Sequence, residues 1–262
     1  MQLSFQKYQG TGNDFIILTI DSQQLSLFTH ELIQKLCDRK FGIGADGLIL
    51  IEPSDKVDFI MHYFNSDGSI SFCGNGARCA VHYAFQHKMA SNNTTFIASD
   101  GEHSASVNGD EIALKMNDVI SWSKANDITI LNTGSPHFMK KVASLETVDI
   151  FEYGQSIRYS DEYKQEGINV NVYSCKNDNT ADMLTYERGV ENETLSCGTG
   201  ATAVALAMVI EQNRAGSFEK LLNVRGGKLK VKGNYNKSKF SSIYLIGPAT
   251  FVFDGNIETG RL

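Results

Sequence analysis

The sequence predicts an α+β fold of two pseudo-symmetric lobes, each a curved, mostly antiparallel sheet wrapped around a central buried helix. Three observations lead to this prediction. Short motifs recur at a nearly constant separation, strand-like runs outnumber helical ones, and one helical stretch is apolar on every side. Together they indicate a duplicated chain with many strands and few helices.

The duplication rests on three motifs that recur in the same order about 122 to 125 residues later. The pairs are Thr-Gly-Asn-Asp-Phe (11–15) with Thr-Gly-Ser-Pro-His-Phe (133–138), Gly-Ile-Gly (42–44) with Gly-Ile-Asn (167–169), and Cys-Gly-Asn-Gly-Ala (73–77) with Cys-Gly-Thr-Gly-Ala (197–201). We therefore predict an N-terminal lobe over residues 1–120 and a C-terminal lobe over residues 121–262. This prediction allows the last few residues of the chain to pack against the N-terminal lobe.

The elements follow one order in both copies. Apolar runs at residues 58–64 and 181–186 predict strands that lead into polar loops. Each loop ends at a Cys-Gly-x-Gly-Ala motif, and a helix is expected to follow. The second of these helices, at residues 201–210, is apolar all round and must be buried all round. The alternating lysines of residues 228–232 predict a strand with one solvated face.

Composition limits the classes of function. Apolar residues make up 42% of the chain, charged residues 21%, and the net charge is -6, which argues against a nucleic-acid partner. The longest apolar stretch is far shorter than the roughly 20 residues of a membrane helix. The chain opens without an apolar leader, and its five cysteines lack the spacing of a disulfide framework. We therefore expect a cytoplasmic protein that acts on a small molecule.

The two repeated cysteines, Cys73 and Cys197, are the candidate catalytic residues. Each is predicted to begin a buried helix, where unsatisfied backbone N–H groups and the helix dipole favour the thiolate. The flanking glycines let backbone amides approach an anion such as a substrate carboxylate. Two such sites related by duplication suggest that one substrate is held between them, in a cleft between the lobes.

This pair of thiols suits the inversion of an amino-acid Cα. One base removes the α-proton from one face while an acid delivers a proton to the other face, and the two exchange roles in the reverse reaction. Amides at the carboxylate and exclusion of water help the carbanion form. The sequence thus predicts an epimerase or racemase.

Other candidate sites are weaker. Cys37, Cys79 and Cys175 are interpreted as buried, inert thiols. The Gly-x-Gly-x-x-Gly string at residues 42–47 follows a helical segment and precedes a strand, the reverse of a dinucleotide site. Neither metal-ligand spacing nor a pyridoxal-phosphate lysine is recognisable. We expect no metal and no cofactor.

The motifs resemble those of the diaminopimelate epimerase family. The resemblance lies in residues 12–15, 65–68, 73–79, 187–189 and 197–201, together with Pro136, His137 and Asn169, and spreads over nearly the whole chain. It implies a cofactor-independent homodimer that interconverts the L,L and meso forms of 2,6-diaminopimelate in lysine and cell-wall synthesis. Proline racemases and phenazine-biosynthesis isomerases share the fold but lack the Gly-Asn-Asp-Phe opening and the Glu-Arg-Gly signature.

The resemblance also implies a role for each site residue. Cys73 and Cys197 would be the acid and base, with His137 and Glu187 tuning their acidities. Arg188 would bind the distal carboxylate, and a planar guanidinium suits that task. The remaining substrate contacts would be the amides of Gly74, Asn75, Gly198 and Thr199 at the proximal carboxylate, and Asn13, Asn65, Asn169 and Glu187 at the ammonium groups and other polar atoms.

Two positions depart from some family members, which carry glutamine at Gly47 and asparagine at Ser135. The loop from Glu187 to Cys197 is also one residue longer than in some members. Two other functions stay open at this point. One is a proline or hydroxyproline racemase or epimerase of the same fold, and Arg188 argues against it because such substrates have no second carboxylate. The other is a non-catalytic thiol redox sensor or amino-acid-binding protein.

Overall fold

The computed structural model describes residues 1–261, with side chains described through residue 260. The chain forms two compact units. Unit 1 comprises Met1–Leu114 together with the chain from Gly247 onward, and unit 2 comprises Lys115–Ile246. The lobe boundary between residues 120 and 121 stays a prediction.

Unit 1 is built on one run of paired strands, in the spatial order β17-β1-β2-β3-β4-β5-β6-β7. The pairs β2–β3 and β4–β5 are parallel and the others are antiparallel. The strands are β1 (Gln2–Gly10), β2 (Asn13–Thr19), β3 (Gly47–Pro53), β4 (Phe59–Asn65), β5 (Asn93–Ala98), β6 (Gly101–Asn108), β7 (Glu111–Lys115) and β17 (Thr250–Glu258). The helices are α1 (His30–Cys37), α2 (Gly74–Gln86) and two short 3-10 turns, Ser22–Leu27 and Thr259–Arg261.

Unit 2 repeats this order as β8-β9-β10-β11-β12-β14-β15-β16. Here β10–β11 and β12–β14 are the parallel pairs, at the positions of β2–β3 and β4–β5. The strands are β8 (Trp122–Ala125), β9 (Ile128–Asn132), β10 (Pro136–Lys141), β11 (Asn169–Asn177), β12 (Thr180–Glu187), β13 (Asn192–Glu193), β14 (Gly216–Val224), β15 (Gly227–Tyr235) and β16 (Phe240–Pro248). The helices are α3 (Ile150–Arg158) and α4 (Gly198–Gln212).

Each unit contains one central helix. In unit 1, α2 packs against β1, β2, β3, β4 and β6, and in unit 2, α4 packs against β9, β10, β11, β14 and β15. From Ala201 to Val209 every residue of α4 is buried, and all except Thr202 are Ala, Val, Leu or Met. Small side chains allow strands to approach on every side, because little volume separates the helix from the sheet.

The outer face of each sheet is covered by a second helix. Helix α1 begins at the N-cap Thr29, whose side chain accepts a hydrogen bond from the N–H of Leu32, and it buries Ile33 and Leu36 against the sheet. Helix α3 begins at Asp149, whose carboxylate accepts from the N–H groups of the first turn. Strands β3 and β11 are covered on both faces, which explains why each begins with five consecutive buried residues.

The sequence predictions for the fold are confirmed. The architecture is α+β with many strands, few helices and mostly antiparallel pairing, and the strand order repeats with the motifs. The predicted strands at residues 58–64, 181–186 and 228–232 lie in β4, β12 and β15. No helix within residues 1–261 is long and apolar enough to cross a membrane.

Candidate active site

Cys73 lies where β4, a polar loop and α2 meet in unit 1. It is the N-cap of α2, with extended backbone angles of φ −128° and ψ 112°, and its Sγ accepts a hydrogen bond from the N–H of Gly76 at 3.4 Å. An N-cap side chain occupies the positive end of the helix, where unsatisfied N–H groups point. The prediction that this motif cysteine begins a buried helix is confirmed.

Asn13 is in contact with Cys73. The thiol of Cys73 donates to Oδ1 of Asn13 at 3.4 Å, and Nδ2 of Asn75 donates to the same oxygen at 3.4 Å. Gly74 and Asn75 are the first two residues of α2, so their backbone amides belong to the first turn, whose N–H groups have no acceptor within the helix. Three of the predicted substrate contacts are thus brought to the Cys73 thiol.

An ionic network lies behind Asn13. Its Nδ2 donates to Oδ2 of Asp46 at 2.5 Å, and Arg39 joins the carboxylates of Asp46 and Asp14 at 2.7 and 2.6 Å. Lys7 completes the network from β1 through an ion pair with Asp14 at 2.8 Å. Burial acts to raise the pKa of Asp14, but hydrogen bonds from Arg39 and Lys7 hold it at about 2. Asp14 is therefore a carboxylate at neutral pH.

Asn65 ends β4 and organises the loop before Cys73. Its Nδ2 donates to the hydroxyls of Ser69 and Ser71 at 2.9 and 3.1 Å. The N–H of Ser66 donates to the backbone oxygen of Asp46 at 3.0 Å, so this loop is fastened to the residues that precede β3. Asn65 therefore fixes the shape of the loop that leads to Cys73.

Arg78 is a fully buried cation on α2 that the sequence did not predict. Its guanidinium donates to the hydroxyl of Thr11 at 3.2 Å and to the backbone oxygen of Pro248 at 3.4 Å. Among the residues described, its Nη1 has no hydrogen-bond partner. Burial lowers the pKa of Arg78, and the Cys79 and Cys73 thiols act in the opposite direction.

Cys197 occupies the equivalent position in unit 2. It is the N-cap of α4 with φ −119° and ψ 111°, nearly the angles of Cys73, and its Sγ lies 3.4 Å from Oγ1 of Thr199. The backbone oxygen of Thr199 accepts from the hydroxyl of Thr133 at 2.9 Å, which ties the first turn of α4 to the loop before β10. Gly198 and Thr199 begin the helix, as predicted.

His137 is fully buried on β10 and is held by Asn171. Nδ2 of Asn171 donates to Nδ1 of His137 at 3.0 Å, and Oδ1 of Asn171 accepts from the hydroxyl of Thr185 at 2.9 Å. Burial, together with the positive charge of Arg188, lowers the pKa of His137 to about 3. The ring is therefore neutral with its proton on Nε2, and Nε2 has no hydrogen-bond partner among the described residues.

Asn171 also lies beside Cys197. A Cβ atom placed on Gly200 would lie 2.6 Å from Oδ1 of Asn171 and 3.3 Å from Sγ of Cys197. Gly200 is therefore needed where the amide and the thiol both approach the first turn of α4. Asn171 thus connects His137 to the first turn of α4, which Cys197 caps.

Asn169 and Arg188 form the third part of the unit 2 site. Oδ1 of Asn169 accepts from the N–H of Arg188 at 2.9 Å, and its Nδ2 donates to Ser135 Oγ and to the backbone oxygen of Pro136. The Arg188 side chain is exposed and donates to the backbone oxygen of Glu166 at 2.9 Å. No described carboxylate pairs with it within 4.0 Å. Its remaining N–H groups are available to an acidic ligand.

Glu187 ends β12 immediately before Arg188. Its backbone oxygen accepts from the N–H of Glu191 at 2.8 Å, and Gly189 has the positive φ of 91° that this turn requires. Glycine therefore follows Glu187 and Arg188 because the backbone of this turn needs a positive φ, in addition to the chemical roles predicted for the glutamate and the arginine.

Gly47 and Ser135, the two positions that depart from some family members, behave differently. A Cβ atom on Gly47 would lie 2.5 Å from the ring of Tyr63 and 2.7 Å from the backbone oxygen of Phe64. Tyr63 occupies the space of a side chain at position 47, so Gly47 is required here. Ser135, by contrast, takes part in the site by orienting Asn169.

Burial makes the other three cysteines less acidic than an ordinary thiol. Burial raises the pKa of Cys37 and of Cys79 to about 12, and it raises the pKa of Cys175 as well. These thiols stay protonated at neutral pH, in agreement with their interpretation as inert. Across residues 1–261, no cluster of three or more His, Cys, Asp or Glu side chains could hold a metal ion.

Sequence reasoning missed the residues behind the contacts. Asp46 was considered only as part of a glycine string, and Asn171 was passed over. Asn171 lies two positions after Asn169 on β11, so both side chains lie on one face of a strand whose neighbours are apolar. That alternation was the signal that could have identified it.

Comparison with known proteins gives a consistent picture. The family model described as diaminopimelate epimerase matches residues 5–121 and 129–252. A diaminopimelate epimerase of Flavobacterium psychrophilum is 48% identical over 97% of this chain and 100% of its own length. One of Aquifex aeolicus is 34% identical over 98% of both chains.

Solved structures agree on the fold. A phenazine biosynthesis protein of the PhzF family from Bacillus anthracis has a TM-score of 0.71 at 14% identity, covering 98% of this chain and 99% of its own. A hydroxyproline epimerase from Agrobacterium vitis, with bound trans-4-hydroxy-L-proline, has a TM-score of 0.68 at 13% identity, covering 98% of this chain and 91% of its own.

Proposed function

The chain belongs to the diaminopimelate epimerase family, and we propose that it carries out the family's reaction with Cys73 and Cys197 as the two proton-transferring groups. It is an isomerase that interconverts the L,L and meso forms of 2,6-diaminopimelate in lysine biosynthesis. The observation that carries the mechanistic proposal is the repeated N-cap position of the two cysteines, one in each unit.

In this mechanism the two thiols act on opposite faces of one Cα. The thiolate form of one cysteine removes the α-proton while the thiol form of the other donates its proton to the opposite face. The protonation states of the cysteines are exchanged after one turnover, and the reverse reaction restores them. A single base on one face of Cα cannot remove a proton and return one with inversion, unless the substrate flips to present its other face.

The first turns of α2 and α4 stabilise the carbanion. The amides of Gly74 and Asn75, and those of Gly198 and Thr199, bind the proximal carboxylate, which takes up negative charge as the α-proton leaves. Helix N-termini supply N–H donors that need no rearrangement, so this stabilisation is present when the charge develops.

The distal end of the substrate is recognised by Arg188. Its exposed guanidinium is held by the backbone oxygen of Glu166, and its backbone N–H by Asn169. The guanidinium offers a planar pair of donors to a second carboxylate. Asn13, Asn65, Asn169 and Glu187 supply the acceptors for the ammonium groups. This allocation is supported by residues whose orientations are already fixed, which reduces the ordering cost of binding.

His137 and Glu187 adjust the acidity of the thiols. A neutral His137 carries its proton on Nε2, a buried donor without a partner among the described residues, and such a donor stabilises a neighbouring thiolate more than a thiol. Glu187 is adjacent to Arg188 in the sequence. Its negative charge acts in the opposite direction to His137, because it favours the thiol over the thiolate.

Two further properties are proposed. A homodimer is supported by Phe251, Val252 and Phe253, three consecutive exposed apolar side chains on β17. A cytoplasmic location is supported by the biosynthetic role of the relatives and by two candidate catalytic thiols, which a reducing compartment keeps active.

The choice of substrate distinguishes this proposal from a proline or hydroxyproline racemase or epimerase. Purified protein is incubated with L,L-diaminopimelate, L-proline, trans-4-hydroxy-L-proline or L-lysine, and the stereoisomers are resolved chromatographically. We expect turnover of diaminopimelate alone, since only this substrate offers Arg188 a second carboxylate.

The same assay tests the cysteines. Cys73→Ser and Cys197→Ser should each lose at least ~10³-fold in kcat, because a hydroxyl is a far poorer base than a thiolate. Cys175→Ser is the matched control and should keep wild-type activity. Retention of a tenth of the activity by either site variant would rule out the two-thiol mechanism. If the wild-type protein inverted none of the four substrates, the redox or binding alternative would be favoured.

A further inference from the structure

We propose that Asp46, held by Arg39, is a positioning residue that fixes the amide of Asn13 with its oxygen toward Cys73, and thereby holds Cys73 as the protonated thiol in the substrate-free protein. The proposal deepens the proposed function, because it takes Cys73 as one of the two reacting thiols. It assigns a role to a network that the mechanism above does not use.

The orientation of the Asn13 amide follows from its partner. Oδ2 of Asp46 lies 2.5 Å from Nδ2 of Asn13 and 3.2 Å from the backbone nitrogen of Asp14, and Oδ1 of Asp46 lies 2.7 Å from Nη2 of Arg39. An ionised carboxylate can only accept hydrogen bonds. The NH₂ group of Asn13 must therefore face Asp46, and its oxygen must face the other way.

The oxygen of Asn13 faces the reacting sulfur. Sγ of Cys73 lies 3.4 Å from this oxygen and 3.4 Å from the N–H of Gly76. The sulfur thus has a donor on one side and an acceptor on the other. A thiol satisfies both, because it accepts from Gly76 and donates to Asn13, whereas a thiolate would face the lone pairs of the Asn13 oxygen.

The orientation of Asn13 opposes other influences on this thiol. The N-terminus of α2 and the buried guanidinium of Arg78 favour the thiolate. The other charged or titratable side chains of α2 and of the strands that pack against it are Cys79, His82 and Tyr83 on α2, Lys7 and Tyr8 on β1, Asp14 on β2, Glu52 on β3, His62 and Tyr63 on β4, and Glu102 and His103 on β6. Removing the Asp46 carboxylate leaves all of these in place, so the Asn13 amide is the element that changes.

The network holds Asp46 by several hydrogen bonds. Arg39 binds Asp14 through both of its terminal nitrogens, at 3.0 and 2.6 Å, and binds Asp46 with one of them. The N–H of Asp46 donates to Oδ1 of Asp14 at 3.1 Å. Asp46 is therefore fastened through backbone and side chain to the start of β2, which carries Asn13.

The test measures alkylation of Cys73 in substrate-free, full-length protein. Wild type and Asp46→Ala are treated with iodoacetamide over a series of pH values, and modification at Cys73 is quantified by peptide mass mapping. Without Asp46, the Asn13 amide can turn its NH₂ group toward the sulfur and stabilise the thiolate. We expect the midpoint pH of alkylation to fall by about half to one pH unit, the equivalent of one ordinary hydrogen bond.

A double-mutant cycle separates this effect from the loss of a charge. Asn13→Ala alone should also lower the midpoint, since it removes the acceptor of the S–H group. In the Asn13→Ala background, adding Asp46→Ala should produce no further shift. A shift of the same size in both backgrounds would mean that the charge of Asp46 acts through space, and the positioning role would be wrong.

Two further outcomes keep the inference testable. If the NH₂ group of Asn13 faced the sulfur, Asn13→Ala would raise the midpoint, and this sign alone would overturn the proposal. Asp46→Asn, which is nearly the same size and offers one acceptor oxygen instead of two, is measured in parallel. It should shift the midpoint in the same direction as Asp46→Ala. It replaces Asp46→Ala in the test if circular dichroism shows that Asp46→Ala is unfolded.

The measurement does not depend on turnover. If Cys73→Ser keeps its activity, the proposed function fails while the alkylation shift stands. If the alkylation midpoint does not move in Asp46→Ala or Asp46→Asn, the positioning role fails while the two-thiol mechanism stands.

Discussion

Gly76 and Gly200 occupy the same place in the two cysteine motifs, yet the structure predicts opposite responses to alanine. A Cβ on Gly200 would lie 2.6 Å from Oδ1 of Asn171, so this oxygen must move by about 0.8 Å to reach an ordinary contact. That movement lengthens the hydrogen bonds of Asn171 to His137 and Thr185. The atoms nearest to a Cβ on Gly76 belong to the side chains of Ile49 and Phe15, at 3.3 Å or more.

The expected free energies differ accordingly. Overpacking a buried site costs about 1–3 kcal/mol, and replacing a helical glycine with alanine returns up to about 1 kcal/mol. Gly200→Ala should therefore destabilise the protein by about 1–2 kcal/mol, whereas Gly76→Ala should be neutral or slightly stabilising. Urea unfolding at pH 7 measures both. The two variants are matched in residue type and helix position, so equal losses, or a stable Gly200→Ala, would refute the packing account of Asn171.

Two further predictions concern charge. Arg188→Met should raise KM for diaminopimelate about 10- to 100-fold with a smaller effect on kcat, because it removes a charge-assisted contact to the distal carboxylate, and an unchanged KM in steady-state kinetics would remove Arg188 from the site. The pKa of His137, about 3 in the folded protein against an ordinary 6.5, means that the unfolded chain takes up a proton first as the pH falls. Its contribution to stability is full above pH 6.5 and is lost progressively toward pH 3, by about 2 kcal/mol at pH 5. Urea unfolding of His137→Gln should therefore show a correspondingly smaller loss between pH 7 and pH 5, with the exposed His87→Gln as control, and an unchanged pH dependence would contradict the buried neutral ring.

The positions of the two cysteines could be predicted, because they depend only on residues close to them in the sequence. The N-cap positions of Cys73 and Cys197 follow from a cysteine followed by small, glycine-rich residues and an apolar helix, all within a few positions. The repeated strand order follows from the repeated motifs, because equal spacing imposes the same sequence of elements on both halves of the chain.

The supporting residues could not be predicted in the same way. Asn13 and Asp46 are 33 residues apart, and His137 and Asn171 are 34 apart, so their contacts exist only after β2 and β10 pair with β3 and β11. Arg78 is buried although arginine is usually exposed, and its partners come from Thr11 and from Pro248 near the C-terminus. Such contacts depend on strand pairing, which periodicity alone does not specify.

The central claim is that two different thiols act on the two faces of one carbon, and isotope transfer tests it most directly. Wild-type protein in deuterated water is given protiated L,L-diaminopimelate, and the meso product of the first turnovers is analysed by mass spectrometry and NMR. The S–H group of the donating cysteine exchanges with solvent, so a two-thiol mechanism delivers deuterium to the inverted carbon while unreacted substrate stays protiated. Product that retains the original proton at the inverted carbon would show that one group removes and returns the same proton, which would contradict the account.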